Sequence, residues 1–222
     1  MNARLTPGDA SYPGQAHYTR SFLRIYDPLV LGFFGRVVWR CPTERLVDRY
    51  REMIGRDHLD IGPGTGYFLA AAGPPGSITL LDPNPSVLAH CAARLSHLDP
   101  VLVGADATQP LPFERRFDSV ALNYVIHCLP SAGDQKAAAI SNAAAVVAED
   151  GVVFGATVLG EPQLHTWASM RALEANNRRG IFDNRNDGVG TLERMLDESF
   201  RDHTIEIVGA VALFAARGPR LS

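Results

Sequence analysis

His58-Leu59-Asp60-Ile61-Gly62-Pro63-Gly64-Thr65-Gly66 places three glycines at alternate positions, directly behind a short apolar segment that carries an acid. Small residues in such a loop let backbone N–H groups approach a ligand closely. Downstream, Asp82 and Asp106 each follow another short apolar run. A glycine loop behind one strand, with an acid behind each of the next two, is the layout of an adenosyl-cofactor pocket at the mouth of a parallel sheet.

The spacing discriminates among nucleotide loops. A dinucleotide fingerprint counted from Gly62 needs a third glycine at position 67, which is Tyr67. A phosphate loop ends in Gly-Lys-Ser/Thr, and the single lysine, Lys136, lies far away. The Tyr-x-x-x-Lys pair of short-chain dehydrogenases would need tyrosine at position 132, which is Ala132. All three fail, which disfavours a nicotinamide oxidoreductase. Asp82 falls where an acid accepts from both ribose hydroxyls. Asp106 can accept from an adenine amino group, and Asp60 can face the ammonium of an amino-acid tail. Three acids suit a ribose, an adenine and a zwitterionic tail, whereas a pyrophosphate would be repelled at short range.

From His58 to Val158 this pattern resembles the class I S-adenosylmethionine-dependent methyltransferases. The resemblance implies that Gly62, Gly64 and Gly66, with Pro63 between them, form the family's first motif, Asp60 and Gly62 lying near the methionine moiety. It implies that Asp82, followed by Pro83, holds the ribose and that Asp106 with Ala107 contacts the adenine. It places Asn123 beside the methionine and the reactive sulfonium. S-adenosyl-L-methionine is then the cofactor and S-adenosyl-L-homocysteine the product. Simpler roles stay open: Asp82 as a cap for the next helix, Asp106 as an Asx turn, and Asn123 as a turn residue.

His127 and Cys128 follow the fourth strand, in the region that faces the transferring methyl group in this family. His127 is the candidate general base for a hydroxyl, amine or indole, against an equal reading as a histidine packed under the cofactor. Cys128 reads as core, because direct displacement needs no covalent enzyme intermediate. Extra N-terminal helices in the family cover the cofactor, so Tyr18 or Tyr26 is expected near its carboxylate or sulfonium face. Phe33 and Phe34 read as core, and His165, Trp167 and Met170 as the far side of the pocket.

The periodicity predicts an α/β chain: a doubly wound, Rossmann-like sheet of about seven strands, with N-terminal helices. Helices are expected around Phe22–Val37, with Asp27-Pro28 as a start signal, and from Pro42 to Ile54. Strands are expected ending at Ile61, then at Ser77–Leu81, Val101–Val103, Phe117–Tyr124, Val152–Val158, Thr204–Val208 and Val211–Ala215. Helices are expected at 67–72, 85–98, 136–148, 163–179 and 191–199. The short Gly209-Ala210 link makes the last two strands an antiparallel hairpin on a mostly parallel sheet. The divisions are a flexible lead over 1–16, a helical cap over 17–55 and a cofactor-binding domain over 56–222.

The sequence is 222 residues long, 46% hydrophobic and 20% charged, with a net charge of −3, which suits one domain and offers no basic face for nucleic acid. The three cysteines form no CxxC pair, so no metal site is expected and a cytoplasmic setting is the default. No signal peptide or membrane span is read. Asn123 is followed by Tyr124-Val125 rather than Pro-Pro and an aromatic, which argues against base methylation. The acceptor expected is a small molecule, for which an aromatic or indolic natural-product intermediate would suit the aromatic N-terminal helices. The acceptor atom (oxygen, nitrogen or carbon) and the oligomeric state stay open. The competing reading is a protein of the same fold that binds the cofactor without transferring methyl.

Overall fold

The computed structural model describes residues 35–73 and 76–220. The expected lead over 1–16, the helices expected before residue 35, Phe33, Phe34, Tyr18 and Tyr26 lie outside the described residues.

Helix α1 (Thr43–Met53) turns Leu46, Val47 and Tyr50 inward at helical spacing. Strand β1 (Asp57–Ile61) leads through the glycine loop into the short helix α2 (Tyr67–Ala72). Strand β2 (Ser77–Leu81) precedes helix α3 (Pro85–Arg94). Asn84 caps α3 by accepting from Ser86 N–H, and Pro85 opens it without losing a needed donor. Strands β3 (Val101–Val103) and β4 (Phe117–Asn123) follow, then helix α4 (Gln135–Val146) and strand β5 (Val147–Val158). Helices α5 (Trp167–Arg178) and α6 (Val189–Ser199) precede strands β6 (Phe200–Val208) and β7 (Val211–Pro219).

The seven strands stand in the order β3-β2-β1-β4-β5-β7-β6. All pairs from β3 to β5 are parallel, and β7 runs antiparallel to both β5 and β6. Alternation along each strand divides the core between two faces. Leu59, Ile61, Val120 and Leu122 pack with Ala139 and Ile140 of α4 and Leu196 of α6 on one face. Ile78, Leu80, Ala121 and Phe154 meet Tyr50, Leu69 and Leu88 on the other. A third cluster joins Trp39, Cys41 and Leu46 to Val158, Leu173, Val211 and Leu213. Helices therefore cover both faces, as the sequence predicts.

Several boundaries differ from expectation; β6 starts at Phe200 rather than Thr204, and β7 runs on to Pro219 rather than ending at Ala215. Strand β5 starts five residues earlier, because Val147 pairs with Phe117 and the chain then bulges before Val152 pairs with Ser119. The helix expected over 163–179 is broken: Thr166 and Ser169 form a capping box that starts α5 at Trp167, with a separate turn at Pro162–Leu164. The helix expected over 85–98 ends at Arg94, followed by a 3-10 turn at Ser96–Leu98. Among the described residues, no helix is long and apolar enough to cross a membrane.

Candidate active site

The sheet reverses its order between β1 and β4, and at such a switch point the connections leave on opposite faces and open a crevice beyond the strand ends. Strands β1 to β4 all end there. Gly62 N–H donates to Leu81 O at 2.8 Å, and Asp82 N–H donates to Val103 O at 3.2 Å, so three strand ends are fastened side by side.

Gly62, Gly64 and Gly66 all adopt positive φ, at 66°, 56° and 72°. A Cβ on Gly62 would meet Val125 Cγ2 at 2.6 Å, and one on Gly66 would meet Cys91 Sγ at 2.6 Å. A Cβ on Gly64 would meet nothing within 4 Å among the described residues, which leaves open space on that side of the loop. Pro63 is buried, and the loop closes on itself through Gly66 N–H donating to Pro63 O at 2.9 Å. Gly66→Ala is expected to destabilise the fold by about 2 kcal/mol, from left-handed strain and the Cys91 clash. Urea denaturation checks this, and unchanged stability would contradict it.

Asp60 is 2% exposed and faces the side of the sheet opposite Leu59 and Ile61. Tyr50 Oη donates to its Oδ2 at 2.8 Å, while its Oδ1 is buried with no hydrogen-bond partner among the described residues. His58, two residues earlier on the same face, comes no nearer to Oδ2 than 3.8 Å through Nε2. A carboxylate oxygen buried without a donor costs about 1–3 kcal/mol unless a ligand meets it.

Asp82 is 5% exposed, and Asn84 N–H donates to its Oδ1 at 2.7 Å. Burial, added to by the nearby Asp106 carboxylate and opposed by the Asn84 hydrogen bond, raises its pKa to about 7. Because Asn84 caps α3, Asp82 is not the cap. Pro83 beside it is half-buried. Asp106 makes the Asx turn: its Oδ1 accepts from Thr108 N–H and Oγ1–H, each at 2.9 Å. Ala107 is buried at 6% exposure. These acids, the orphaned Asp60 oxygen and the open side of Gly64 fit a ligand with a cationic tail, a ribose and an adenine.

Asn123 ends β4 with its Nδ2 buried and, among the described residues, without a hydrogen bond. Tyr124 follows at φ 58°, an uncommon backbone for a bulky side chain that turns the chain sharply out of the strand. His127, in the 3-10 turn Ile126–Cys128, is 3% exposed. Val158 N–H donates to its Nδ1 at 3.2 Å, and Thr157 Oγ1 lies 3.4 Å from the same atom. In the neutral ring the proton is therefore on Nε2. Burial, and secondarily the charge of Lys136, lowers its pKa to about 3. A base needs a free lone pair and a pKa near the working pH, so this geometry does not favour His127 as one. Cys128, half-buried, points its thiol at Tyr124 O from 3.8 Å, and burial pushes it up to about 12.

The segment after α5 is tied to the turn that carries His127. Asp183 N–H donates to His127 O at 2.9 Å, and Phe182 meets the His127 ring edge-on at 4.4 Å. Asn184 is fully buried, bonded to Asn177 and, at 2.7 Å, to Val158 O. Lys136 Nζ, also buried, donates to Asp183 O at 2.5 Å and to both Asp187 carboxylate oxygens at 2.5 and 2.6 Å. The sequence gives no periodic signal for these contacts. His165 is held by Leu159 O and Ser169 Oγ, and Met170 packs into the core. Trp167 is 76% exposed among the described residues, with the Arg171 guanidinium over its ring.

A methyltransferase-domain family matches residues 59–153, from β1 into β5. The chain is 39% identical over 207 residues to demethylluteothin O-methyltransferase of Streptomyces thioluteus, covering 91% of this chain and 90% of that one. It is 35% identical over 223 residues to the physcion biosynthesis cluster O-methyltransferase of Aspergillus chevalieri, covering 98% and 99%. Among solved structures, the N-methyltransferase NodS from Bradyrhizobium japonicum WM9, in complex with S-adenosyl-L-homocysteine, shares the fold. Its TM-score is 0.66 at 19% identity, over 96% of this chain and 100% of that one. Because these likenesses run the length of the sheet and extend well past one glycine motif, the chain belongs to the S-adenosylmethionine-dependent methyltransferases.

Proposed function

We propose that this enzyme binds S-adenosylmethionine across the ends of β1 to β4 and methylates a hydroxyl oxygen of a small natural-product acceptor. One observation carries the binding mode: an open glycine cradle lies between a buried, half-satisfied Asp60 and a buried Asp82. When bound, the cofactor supplies an electrophilic methyl group on a sulfonium. Asp60 accepts from the ammonium of the tail, and Asn123 borders that tail. Gly62, Pro63, Gly64 and Gly66 let the backbone approach it. Asp82, with Pro83 beside it, accepts from the ribose hydroxyls, and Asp106 with Ala107 meets the adenine edge.

Oxygen is favoured as the acceptor atom because both curated relatives described above are named O-methyltransferases. The protonation chemistry agrees. His127 acts as a neutral packing element beneath the site, its Nε2 a donor. Lys136 is committed to Asp187, and both ring nitrogens of His165 have partners. An acidic hydroxyl, such as a phenol or enol, supplies its own nucleophile under these conditions and suits the site better than an indole N–H. Positioning and exclusion of water then provide the acceleration.

Calorimetric titration with S-adenosylmethionine, S-adenosylhomocysteine and NADH is expected to give micromolar binding of the first two and none of the third. Matched phenolic and anilinic acceptors, followed by mass spectrometry, are expected to show methylation of the hydroxyl partner. Methylation of the amine alone would overturn the oxygen assignment. Failure of both adenosyl ligands to bind would overturn the cofactor site.

A further inference from the structure

Among the described residues, two polar atoms buried at the switch point have no hydrogen-bond partner, and they are of opposite kind. Asp60 Oδ1 is an acceptor and Asn123 Nδ2 is a donor. Both side chains neighbour one hydroxyl, that of Tyr50. A buried acceptor or donor is costly when left alone. Tyr50 Oη instead donates to Asp60 Oδ2 at 2.8 Å.

We propose that Tyr50 is a positioning residue for the amino-acid end of the cofactor site, fixing the Asp60 carboxylate so that Oδ1 and the Asn123 amide stay open to a zwitterion. The inference rests on the reading of Asp60 as partner of the tail ammonium. An α-amino acid offers the complement of the two orphans: a cationic donor for Asp60 and a carboxylate acceptor for Asn123.

Tyr50 is itself immobile. It is 1% exposed, its ring stacks on Phe68 at 5.5 Å and 18°, and Phe154 meets it edge-on at 5.2 Å and 85°. Burial and the adjacent Asp60 charge raise its pKa well above the ordinary value, which outweighs a smaller opposite pull from Asn123. The hydroxyl therefore stays a donor at every working pH. His58 cannot substitute, since 3.8 Å is beyond hydrogen-bond reach of Asp60. Because Tyr50 belongs to α1, the helix before the sheet takes part in forming the cofactor site through this one bond.

The test compares two ligands that differ only at the tail. S-adenosylhomocysteine carries the amino acid, and 5′-methylthioadenosine keeps the adenine, ribose and sulfur without it. Wild type, Tyr50→Phe and Asp60→Asn are titrated calorimetrically with both. The Phe variant keeps both ring contacts, and loss of one charge-assisted bond is expected to weaken S-adenosylhomocysteine about tenfold. Its affinity for methylthioadenosine is expected to stay within about twofold of wild type, and Asp60→Asn is expected to show the same selectivity. Unchanged S-adenosylhomocysteine binding by Tyr50→Phe would overturn the proposal. Equal weakening of both ligands would overturn it too, because it marks a general structural role. If Asp60→Asn binds S-adenosylhomocysteine like wild type, the underlying assignment of Asp60 fails instead.

Discussion

Asp82→Asn is expected to weaken S-adenosylhomocysteine binding by about a hundredfold, the worth of two hydrogen bonds to a charged acceptor. The larger consequence is in the pH profile. With its pKa near 7, the wild-type carboxyl is half protonated at neutral pH before ligand arrives. Two ribose hydroxyls need an ionised carboxylate, which accepts on both oxygens, whereas the acid must donate from one. Binding therefore releases a proton below pH 7, and wild-type affinity is expected to fall by up to about tenfold per pH unit on acidification. Above neutrality it levels off. Asparagine does not titrate, so the variant's profile is expected to be flat. Calorimetry from about pH 6 to pH 8 in buffers of different ionisation enthalpy reads both effects. A variant that binds as tightly as wild type would remove the ribose assignment, and a level wild-type profile would remove the proton linkage.

His127→Ala is expected to cost about 3 kcal/mol of stability. It leaves the Val158 N–H without its acceptor and opens a cavity against Phe182. The sign of its pH dependence follows from a folded pKa near 3 against an ordinary 6.5. Between those values the unfolded chain binds a proton that the folded chain refuses. The contribution is present above the ordinary value and is lost as pH falls, by at most about 1.4 kcal/mol per unit. Asp82 works in the opposite direction. Its folded pKa is raised from 3.8 to about 7, so its neutral form favours folding as pH falls through that window. The two slopes oppose each other where they overlap. Asp82→Asn is expected to unmask the histidine, giving a protein that weakens between about pH 6.5 and pH 5 while wild type changes little. Urea denaturation at several pH values measures this. A variant with no acid slope would show that His127 is charged in the folded state.

The strands were legible because the apolar runs of β1, β2 and β4 stop directly at Gly62, Asp82 and Asn123, and that of β3 three residues before Asp106. The same residues are the candidate site, so fold and site are read from one pattern. What escaped depended on contacts across elements. Tyr50 reads as one more apolar position of α1, and only the packing of that helix on β1 shows that its hydroxyl meets Asp60. His127 stands where a base would stand, but its tautomer is set by Val158, thirty-one residues away. The early start of β5 needs the pairing of Val147 with Phe117, which no local periodicity reports. The restart of the helix at Trp167 depends on the Thr166–Ser169 capping box, which leaves the first residue of α5 outside its buried stripe.

The burial of Lys136 has a practical consequence. It is the only lysine in the sequence, and its amine is enclosed by Asp183 and Asp187. Amine-directed acylating reagents thus have a single side-chain target, and in the folded protein that target is shielded and already charged. Its acylation under native conditions would proceed only when the Asp183–Asp187 segment lifts away. The labelling rate of one residue would then time the opening of the contacts that hold Phe182 against His127.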